Sequence, residues 1–179
     1  DMFNVKLGGH SGTLDPQVSG VLPILLGRAC RLSNYFMHHD KEYVGKMRLH
    51  KDVEEKMLRE IIKEFIGKIT QLPPVRSAVK RAERIREVKS FDILEIEGKD
   101  ILFRTRVEAG TYIRKICSDM GEKIGGANML ELRRTKASIF SENDKNFINL
   151  YQFDELIKNQ KEIIKYLIPA EEAIKKVLQ

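Results

Sequence analysis

The sequence predicts an α+β domain, in which hairpin-connected strands are interspersed with helices. Residues 87–96 and 101–108 are rich in β-branched residues and phenylalanine, and they flank the turn-like residues 97–100 in the pattern of a β-hairpin. Apolar residues at three-to-four spacing predict two amphipathic helices, one over residues 57–69 and the other over residues 113–124. Strict alternation of strand and helix is absent, which favours α+β over α/β.

Shorter elements complete this pattern. Strands are predicted over residues 20–27, 41–50 and 130–140, and helices over residues 28–38 and 150–178. Asp52 and Glu55 are spaced like a capping box before the first amphipathic helix, and Gly125 with Gly126 is expected to end the second. Pro169 is expected to restart the last helical region. Residues 8–16 contain three glycines and a proline, which predicts an ordered loop of the kind that often carries function.

Length and composition indicate one globular domain over residues 1–179, with 42% hydrophobic and 32% charged residues. The longest apolar stretch, residues 21–26, is far too short to cross a membrane. Cys30 and Cys117 are too few for a disulfide framework, and both fall on apolar patterns that predict core positions. No basic-then-apolar leader opens the sequence, so a reducing cytoplasm is expected. Because the first residue is Asp1, we also expect further residues upstream.

The net charge of +6 is unevenly placed along the chain. Residues 51–70 carry five basic and five acidic residues, which is typical of a solvated helix face. Residues 76–89 carry six basic and two acidic residues, and the whole basic excess lies in the first 140 residues. Clustered cations favour a polyanionic partner such as nucleic acid, because they release counterions on binding phosphates. An ordinary basic surface is the alternative, and charge alone does not decide between them.

The segment GHSGTLDP at residues 9–16 concentrates hydroxyls, a histidine and a carboxylate in eight positions. A plain turn is one interpretation. A serine-hydrolase elbow is excluded because Thr13 occupies the position where Gly-x-Ser-x-Gly requires glycine, and a phosphate-binding P-loop is excluded because Gly-Lys-Ser/Thr is absent. Residues 38–40, His-His-Asp, have no metal-site spacing around them, so no metal is predicted.

Residues 9–16, followed by SGVLP at residues 19–23, resemble the active-site motif of the TruB/dyskerin family of pseudouridine synthases. Further matches follow in the family's order: KEY at 41–43, LPPVRSAVKR at 72–81, AGTYIRK at 109–115 and ELRRT at 131–135. The resemblance covers nearly the whole chain. It implies the pseudouridine synthase fold, a mixed and mostly antiparallel sheet flanked by helices.

Within the family, the chain resembles the dyskerin type of archaea and eukaryotes. It lacks the Thr-Asp-Thr-x-Asp loop and the Ser-Ala-Leu-Lys-x-x-Gly segment of bacterial TruB enzymes, and it carries Lys80-Arg81-x-x-Arg84-x-Arg86. The family's N-terminal strand segment and its C-terminal PUA domain are absent, so we expect a core piece whose open sheet edge must be covered. Dyskerin-type enzymes work in H/ACA particles, in which a guide RNA pairs with the substrate RNA and small accessory proteins complete the assembly.

The resemblance also implies catalytic roles for three residues. Asp15 is the catalytic carboxylate, which either attacks C1′ of the target uridine or removes its 2′ proton. Tyr43 is expected to stack on the flipped uracil and to help remove the C5 proton. Arg114 is expected to pair with Asp15 and to keep it ionised and oriented. No cofactor is expected, because the isomerisation takes up no electrons and no external group.

Other residues are expected to contact RNA, and by family position these are His10, Lys80, Arg81, Arg84, Arg86 and Tyr112. The leading hypothesis is guided conversion of a uridine, in rRNA above all, to pseudouridine. A standalone synthase acting on the tRNA T-loop and a catalytically silent RNA-binding scaffold are the alternatives. The expected compartment is the cytoplasm for an archaeal protein and the nucleolus for a eukaryotic one, with no membrane partner.

Overall fold

The structure is a computed structural model that describes residues 5–73, 82–158 and 160–178. Within these ranges the strands are β1 (Gly8–His10), β2 (Val18–Gly20), β3 (Ile24–Leu26), β4 (Lys41–Leu49), β5 (Gly67–Gln71), β6 (Arg84–Glu97), β7 (Asp100–Val107), β8 (Ala127–Ala137) and β9 (Phe140–Ser141). The α-helices are α1 (Ser33–Met37), α2 (Glu55–Glu64), α3 (Ile113–Ile124), α4 (Leu150–Ile157), α5 (Gln160–Ile163) and α6 (Ala170–Leu178). Two 3-10 helices cover Gly27–Leu32 and Ile164–Tyr166. The α+β prediction is confirmed.

The described residues form two compact units, each with its own apolar cluster. The first unit comprises the described residues of Asp1–Asp15, Gly20–His39 and Thr135–Gln179, and the second comprises Pro16–Ser19 and Asp40–Arg134. Among the helices of the described ranges, none is long and apolar enough to cross a membrane.

The second unit is organised by a sheet with the strand order β2-β8-β4-β7-β6-β5. The pairs β4–β7, β7–β6 and β6–β5 are antiparallel. The predicted hairpin is confirmed as β6–β7, and its connection is two residues long, with a φ of 58° at Gly98. A glycine with positive φ at the first turn position matches the right-handed twist of the paired strands.

One face of this sheet packs against α3. Met47 of β4, Phe103 of β7 and Val88 of β6 are fully buried, as are Ile116 and Met120 of α3. α3 spans the predicted residues and ends at Gly125, which adopts the left-handed conformation with a φ of 86°. The amphipathic pattern therefore predicted both the helix and the face that it buries.

The helix predicted over residues 57–69 is shorter than expected. α2 ends at Glu64, Gly67 turns the chain with a φ of 98°, and Ile69 lies in β5 opposite Arg86. Ile69 still packs against the core, because a strand can present the same side chain that a longer helix would have presented. Helical spacing alone therefore extended the prediction too far.

The predicted capping box at the start of α2 is wrong. The N-cap residue is Glu54, and its side chain makes no capping hydrogen bond within the part of the chain that the structure describes. Asp52 instead lies with its carboxylate 3.7 Å from the Lys99 ammonium. A capping box does occur at α4, where Asn149 and Gln152 each accept a hydrogen bond from the other's main-chain N–H.

The first unit contains the antiparallel pair β1–β3, and β9 pairs with the last residues of β8. The strand predicted over 20–27 is β3 together with the end of β2, and the helix predicted over 28–38 is a 3-10 helix followed by α1. The strand predicted over 130–140 is interrupted at Ser138, whose φ of 59° turns β8 into β9. Helix α6 begins after Pro169, as predicted.

The core of the first unit is small. Leu25, Phe36 and Ala173 are buried, and the Phe36 ring lies with its centroid 5.2 Å from that of Phe140. Cys30 packs against this cluster but remains half-buried, and its thiol donates to the Leu25 carbonyl at 3.3 Å. The core prediction therefore holds in part for Cys30.

Cys117 is a full core residue of the second unit. Burial raises the pKa of its thiol to about 12, because the thiolate would lose its hydration. The core prediction is confirmed for Cys117.

Gly121 lies where α3 packs closely against the main chain of Ala127. A Cβ at this position would overlap the main-chain nitrogen of Ala127, although Gly→Ala in a helix ordinarily stabilises by about 1 kcal/mol. We expect Gly121→Ala to lower the free energy of unfolding by about 1–3 kcal/mol, as measured by urea denaturation. Gly8→Ala is the control, because a Cβ at Gly8 would meet nothing within 4 Å. Equal stability of the two variants would contradict the close approach.

Candidate active site

The loop that carries Asp15 is fixed at its start by Ser11. This residue is 1% exposed; its main-chain N–H donates to the Pro23 carbonyl at 3.0 Å, and its hydroxyl donates to the Ser33 carbonyl at 3.1 Å. Gly12 follows with a φ of 87°, a conformation that a residue with a side chain rarely adopts. The buried serine therefore holds the loop to its own unit, while the glycine sets its direction.

Asp15 itself is exposed and is the last residue of this stretch of the first unit. His10 precedes the loop at the end of β1, opposite Ile24, and is exposed as well. The loop that Ser11 anchors therefore carries Asp15 at a solvent-accessible position. His10 has a similar exposure, as an RNA contact requires.

Tyr43 lies on β4, opposite Thr105 of β7, and is half-buried against the core of the second unit. Thr105 is fully buried, and its hydroxyl donates to the Ser90 carbonyl of β6 at 2.8 Å. The tyrosine ring is thus supported from one side by a rigid three-strand ladder. Its remaining exposure leaves room for contact with a planar base.

Arg114 occupies the first turn of α3 and is exposed, which confirms its predicted position off the apolar stripe. That turn contains no acidic residue and holds two cations, Arg114 and Lys115. Cations at a helix N-terminus oppose the helix dipole at a cost of about 0.3–1 kcal/mol. Helix stability therefore does not account for Arg114, and its pairing with Asp15 stays a prediction.

The start of α3 is held by Gln71, the last residue of β5. Its side-chain NH₂ donates to the Tyr112 carbonyl at 3.1 Å, and its side-chain oxygen accepts from the Tyr112 N–H at 3.0 Å. Gln71 is 2% exposed. Tyr112, predicted to contact RNA, is the N-cap residue of α3 and has a half-buried side chain.

Arg86 of β6 contacts the turn that leads into α3. Its guanidinium lies 3.5 Å from one carboxylate oxygen of Glu108, whose other oxygen accepts from the Glu87 N–H at 3.0 Å. It also packs over Gly110, where a Cβ would lie 3.3 Å from two guanidinium nitrogens. Arg86 thus supports the turn, and its predicted RNA contact stays a prediction. Arg84 begins β6 opposite Gln71, while Lys80 and Arg81 lie outside the described residues.

The acidic residue of the His-His-Asp segment at residues 38–40 is paired with basic side chains. The Asp40 carboxylate is engaged with two cations, lying 2.9 Å from Lys89 and 2.9 Å from Arg106. In the ranges that the structure describes, no three histidine, cysteine, aspartate or glutamate side chains cluster as metal ligands would.

Two family models together match residues 1–175. Residues 1–56 and 50–113 match the TruB family pseudouridylate synthase N-terminal domain, and residues 114–175 match the tRNA pseudouridylate synthase B C-terminal domain. The chain belongs to the TruB family. The motif blocks that indicated this family from sequence lie within the matched residues, so the recognition is confirmed.

Similar members of the TruB family are archaeal. The chain is 52% identical over 143 residues to a probable tRNA pseudouridine synthase B of Methanothermobacter thermautotrophicus, covering 79% of this chain and 44% of that protein. A Cbf5-Nop10-Gar1 complex contains a chain with a TM-score of 0.88 and 44% identity, covering 98% of this chain and 55% of that one. An H/ACA RNP bound to a substrate RNA containing 2′-deoxyuridine gives a TM-score of 0.85 and 41% identity, covering 98% and 54%. The chain therefore spans about half the length of the relatives that it matches.

The TruB resemblance identified the candidate catalytic residues but not the residues that hold them in place. Asp15 belongs to the first unit, whereas the second unit contains Tyr43, Arg114 and Tyr112, and Gln71 bonds to the main chain of Tyr112. Gln71 was missed because a glutamine that ends a strand carries no motif signal of its own. A polar residue at a core-facing strand position was the available signal, since such a residue needs a buried partner.

Lys41 was also missed. It is 5% exposed, two residues from Tyr43 on the same face of β4, and its pKa is lowered to about 8 by burial and by the nearby Arg134 cation, although Asp40 acts in the opposite direction. Arg134 on β8 is 1% exposed. Alternation along β4 could have placed Lys41 on the buried face from sequence.

The pKa of Lys41 predicts a pH-dependent stability. The ordinary lysine pKa of 10.5 applies to the unfolded chain, so the unfolded chain binds more protons than the folded one between pH 8 and 10.5. The Lys41 contribution to the free energy of unfolding should therefore rise with pH across this window. Relative to Lys41→Met, the wild-type protein should gain up to about 3 kcal/mol between pH 7.5 and 10.5, as measured by urea denaturation.

Lys145→Met is the matched control, because Lys145 is exposed. Its stability difference from the wild type should stay flat over the same range. A flat difference for Lys41→Met would show that the buried amine keeps its ordinary pKa.

Proposed function

We propose that this chain is the catalytic domain of an RNA-guided pseudouridine synthase that converts a uridine in a guide-paired substrate RNA to pseudouridine. The observation that carries the proposal is the fold match over 98% of the chain to the Cbf5-Nop10-Gar1 complex. A second match, to an H/ACA RNP bound to a substrate RNA, supports guide RNA, substrate RNA and small accessory proteins as partners. For an archaeal cell, the proposed compartment is the cytoplasm.

In the proposed reaction the N1–C1′ bond of the uridine breaks, the uracil turns, and C5 bonds to C1′. The proton then leaves C5 and N1 gains one, so the atoms balance without a cofactor. The Asp15 carboxylate begins this sequence at C1′ or at the 2′ proton, and Arg114 pairs with it. Tyr43 holds the base that has been flipped out of its stack. The exposure of Asp15 and Arg114 and the partial exposure of Tyr43 support these roles.

A second candidate function is conversion of a uridine in tRNA without a guide. The names of several similar proteins, probable tRNA pseudouridine synthase B, favour it. A standalone enzyme must recognise the shape of its substrate by itself, whereas a guided one leaves sequence choice to base pairing. The two candidates therefore differ in the RNA that they require.

The deciding experiment supplies the full-length protein and accessory proteins with either a guide-paired RNA or a free tRNA. We expect pseudouridine only where the guide directs it, with the target moving when the pairing sequence of the guide is changed. Asp15→Asn should slow the reaction by on the order of 10³-fold or more while RNA affinity is kept, because it removes a base or nucleophile with little change in shape. Pseudouridine is measured by mass spectrometry of the isolated RNA.

Asp154→Asn is the matched control, because Asp154 is an exposed aspartate of α4 in the same unit. It should convert RNA at the wild-type rate. Efficient conversion of tRNA without guide would favour the second candidate, and near-normal activity of Asp15→Asn would remove the catalytic assignment.

The basic tract should contribute to RNA affinity by binding phosphates. Replacing Arg81, Arg84 and Arg86 by glutamine together should weaken binding and flatten its salt dependence by about one unit of slope for each phosphate that the variant no longer neutralises. Because Arg86 is already paired with Glu108, its single substitution should change the slope by less than one unit. Dissociation constants at several salt concentrations measure the slope.

Arg59→Gln provides the control for this series, because Arg59 is an exposed arginine of α2 that pairs with Glu55. Its salt slope should equal that of the wild type. An unchanged slope in the triple variant would show that the tract does not touch RNA.

A further inference from the structure

Gln71 makes a two-point contact with the main chain of Tyr112, a residue far away in sequence. Its amide donates to the Tyr112 carbonyl at 3.1 Å and accepts from the Tyr112 N–H at 3.0 Å. The side chain is 2% exposed, so both bonds are shielded from competing water. Two reciprocal bonds to one residue fix that residue's position and its orientation, which a single bond would leave free to rotate.

Tyr112, the residue held in this way, is the N-cap residue of α3. The Tyr112 carbonyl also accepts from the Lys115 N–H and the Ile116 N–H, both at 3.1 Å, which are the first bonds of the helix. The side chain of this N-cap residue makes no capping hydrogen bond among the described residues. Gln71 therefore holds the N-cap residue that precedes the first turn of α3, and Arg114 lies in that turn.

The other side of the same segment is held independently. The Thr111 hydroxyl and the Thr111 N–H both donate to the Glu108 carbonyl, at 2.7 and 3.2 Å, and the Glu108 carboxylate meets Arg86. This turn ties the segment to β6 and β7, whereas Gln71 ties it to β5. The turn fixes where the chain leaves the sheet, and Gln71 fixes how the helix starts.

We infer that Gln71 is a positioning residue for Arg114: its amide clamp on Tyr112 sets the direction of the guanidinium that orients the catalytic carboxylate. The inference rests on the proposed function, since it assigns Gln71 a part in that same reaction. A misplacement of about 1 Å in a positioned group costs on the order of 10²-fold in rate. Loss of the clamp should therefore slow conversion and leave RNA binding almost unchanged.

The test replaces Gln71 by methionine, which keeps the length of the side chain and removes both hydrogen bonds. With guide and saturating substrate RNA, we expect single-turnover conversion to slow by on the order of 10²-fold, with a dissociation constant within about threefold of wild type. Gln71→Glu keeps the acceptor for the Tyr112 N–H and loses the donor, so it should fall between wild type and Gln71→Met. Should Gln71→Met fail to fold, Gln71→Glu carries the same comparison.

A double-mutant cycle separates positioning from plain stability. If Gln71 acts through Arg114, then adding Gln71→Met to Arg114→Met should slow conversion by no more than about twofold beyond Arg114→Met alone. A structural role would instead make the two losses multiply. Multiplying losses, or an unchanged single-turnover rate in Gln71→Met, would overturn the inference.

Asp100→Asn is the matched control for reduced stability. Asp100 is 9% exposed and is held at the β6–β7 turn by Lys46 at 2.9 Å and Arg48 at 2.6 Å. Its substitution should lower the melting temperature and leave the rate of conversion unchanged. A wild-type protein that makes no pseudouridine would refute the proposed function and this inference with it, whereas an active wild type matched by Gln71→Met would refute the inference alone.

Discussion

The burial of the apolar face of α3 against the sheet is the interaction on which the second unit depends. Ile116, Cys117 and Met120 have no exposed surface, and they pack with strand residues such as Met47 and Phe103. Gly121 allows the main chain of Ala127 to approach closely, which a larger residue would prevent. This packing fixes the axis of α3, and the exposed side of its first turn is then free to present Arg114.

Apolar packing places the helix but does not fix its first turn. Main-chain groups at a helix start lack partners within the helix, so they depend on neighbouring groups. Here the Gln71 side chain bonds to the N–H and the carbonyl of Tyr112, and the Thr111 hydroxyl donates to the Glu108 carbonyl. Directional bonds thus set the fine position of a segment whose coarse position comes from the hydrophobic effect. The two kinds of interaction act on the same few residues.

The second unit contains two different arrangements of buried charge, one around Asp100 and one around Lys41. Asp100 sits between two cations, and the hydrogen bonds from Arg48 and Lys46 hold its pKa well below the usual range. Lys41 and Arg134 are two buried cations close to each other, and burial lowers the pKa of Lys41. The first arrangement closes a hairpin. The buried cation Lys41 lies two residues from Tyr43 along β4, and the sequence motif predicts a catalytic role for Tyr43.

The elements that were predicted well are those whose periodicity and end signals agree. α3 has both an apolar stripe and a glycine end, and the β6–β7 hairpin has β-rich arms around a glycine turn. α2 was overextended because Ile66 and Ile69 continue the helical spacing by chance on either side of Gly67, which turns the chain. Local spacing does not reveal that a neighbouring strand offers a partner, and that partner decides the structure of residues 67–71.

The residues of the candidate site also divide into those that the sequence identified and those that it did not. Asp15, Tyr43 and Arg114 were identified from motif blocks, because reactive groups recur with fixed neighbours in a family. Gln71 was not, since its role comes from the register that places the end of β5 beside residue 112, and register is a property of the folded sheet. A substitution there leaves every predicted reactive group in place. The motif would therefore still indicate an intact site, while the N-cap residue of α3 would lose the two hydrogen bonds that Gln71 makes to its main chain.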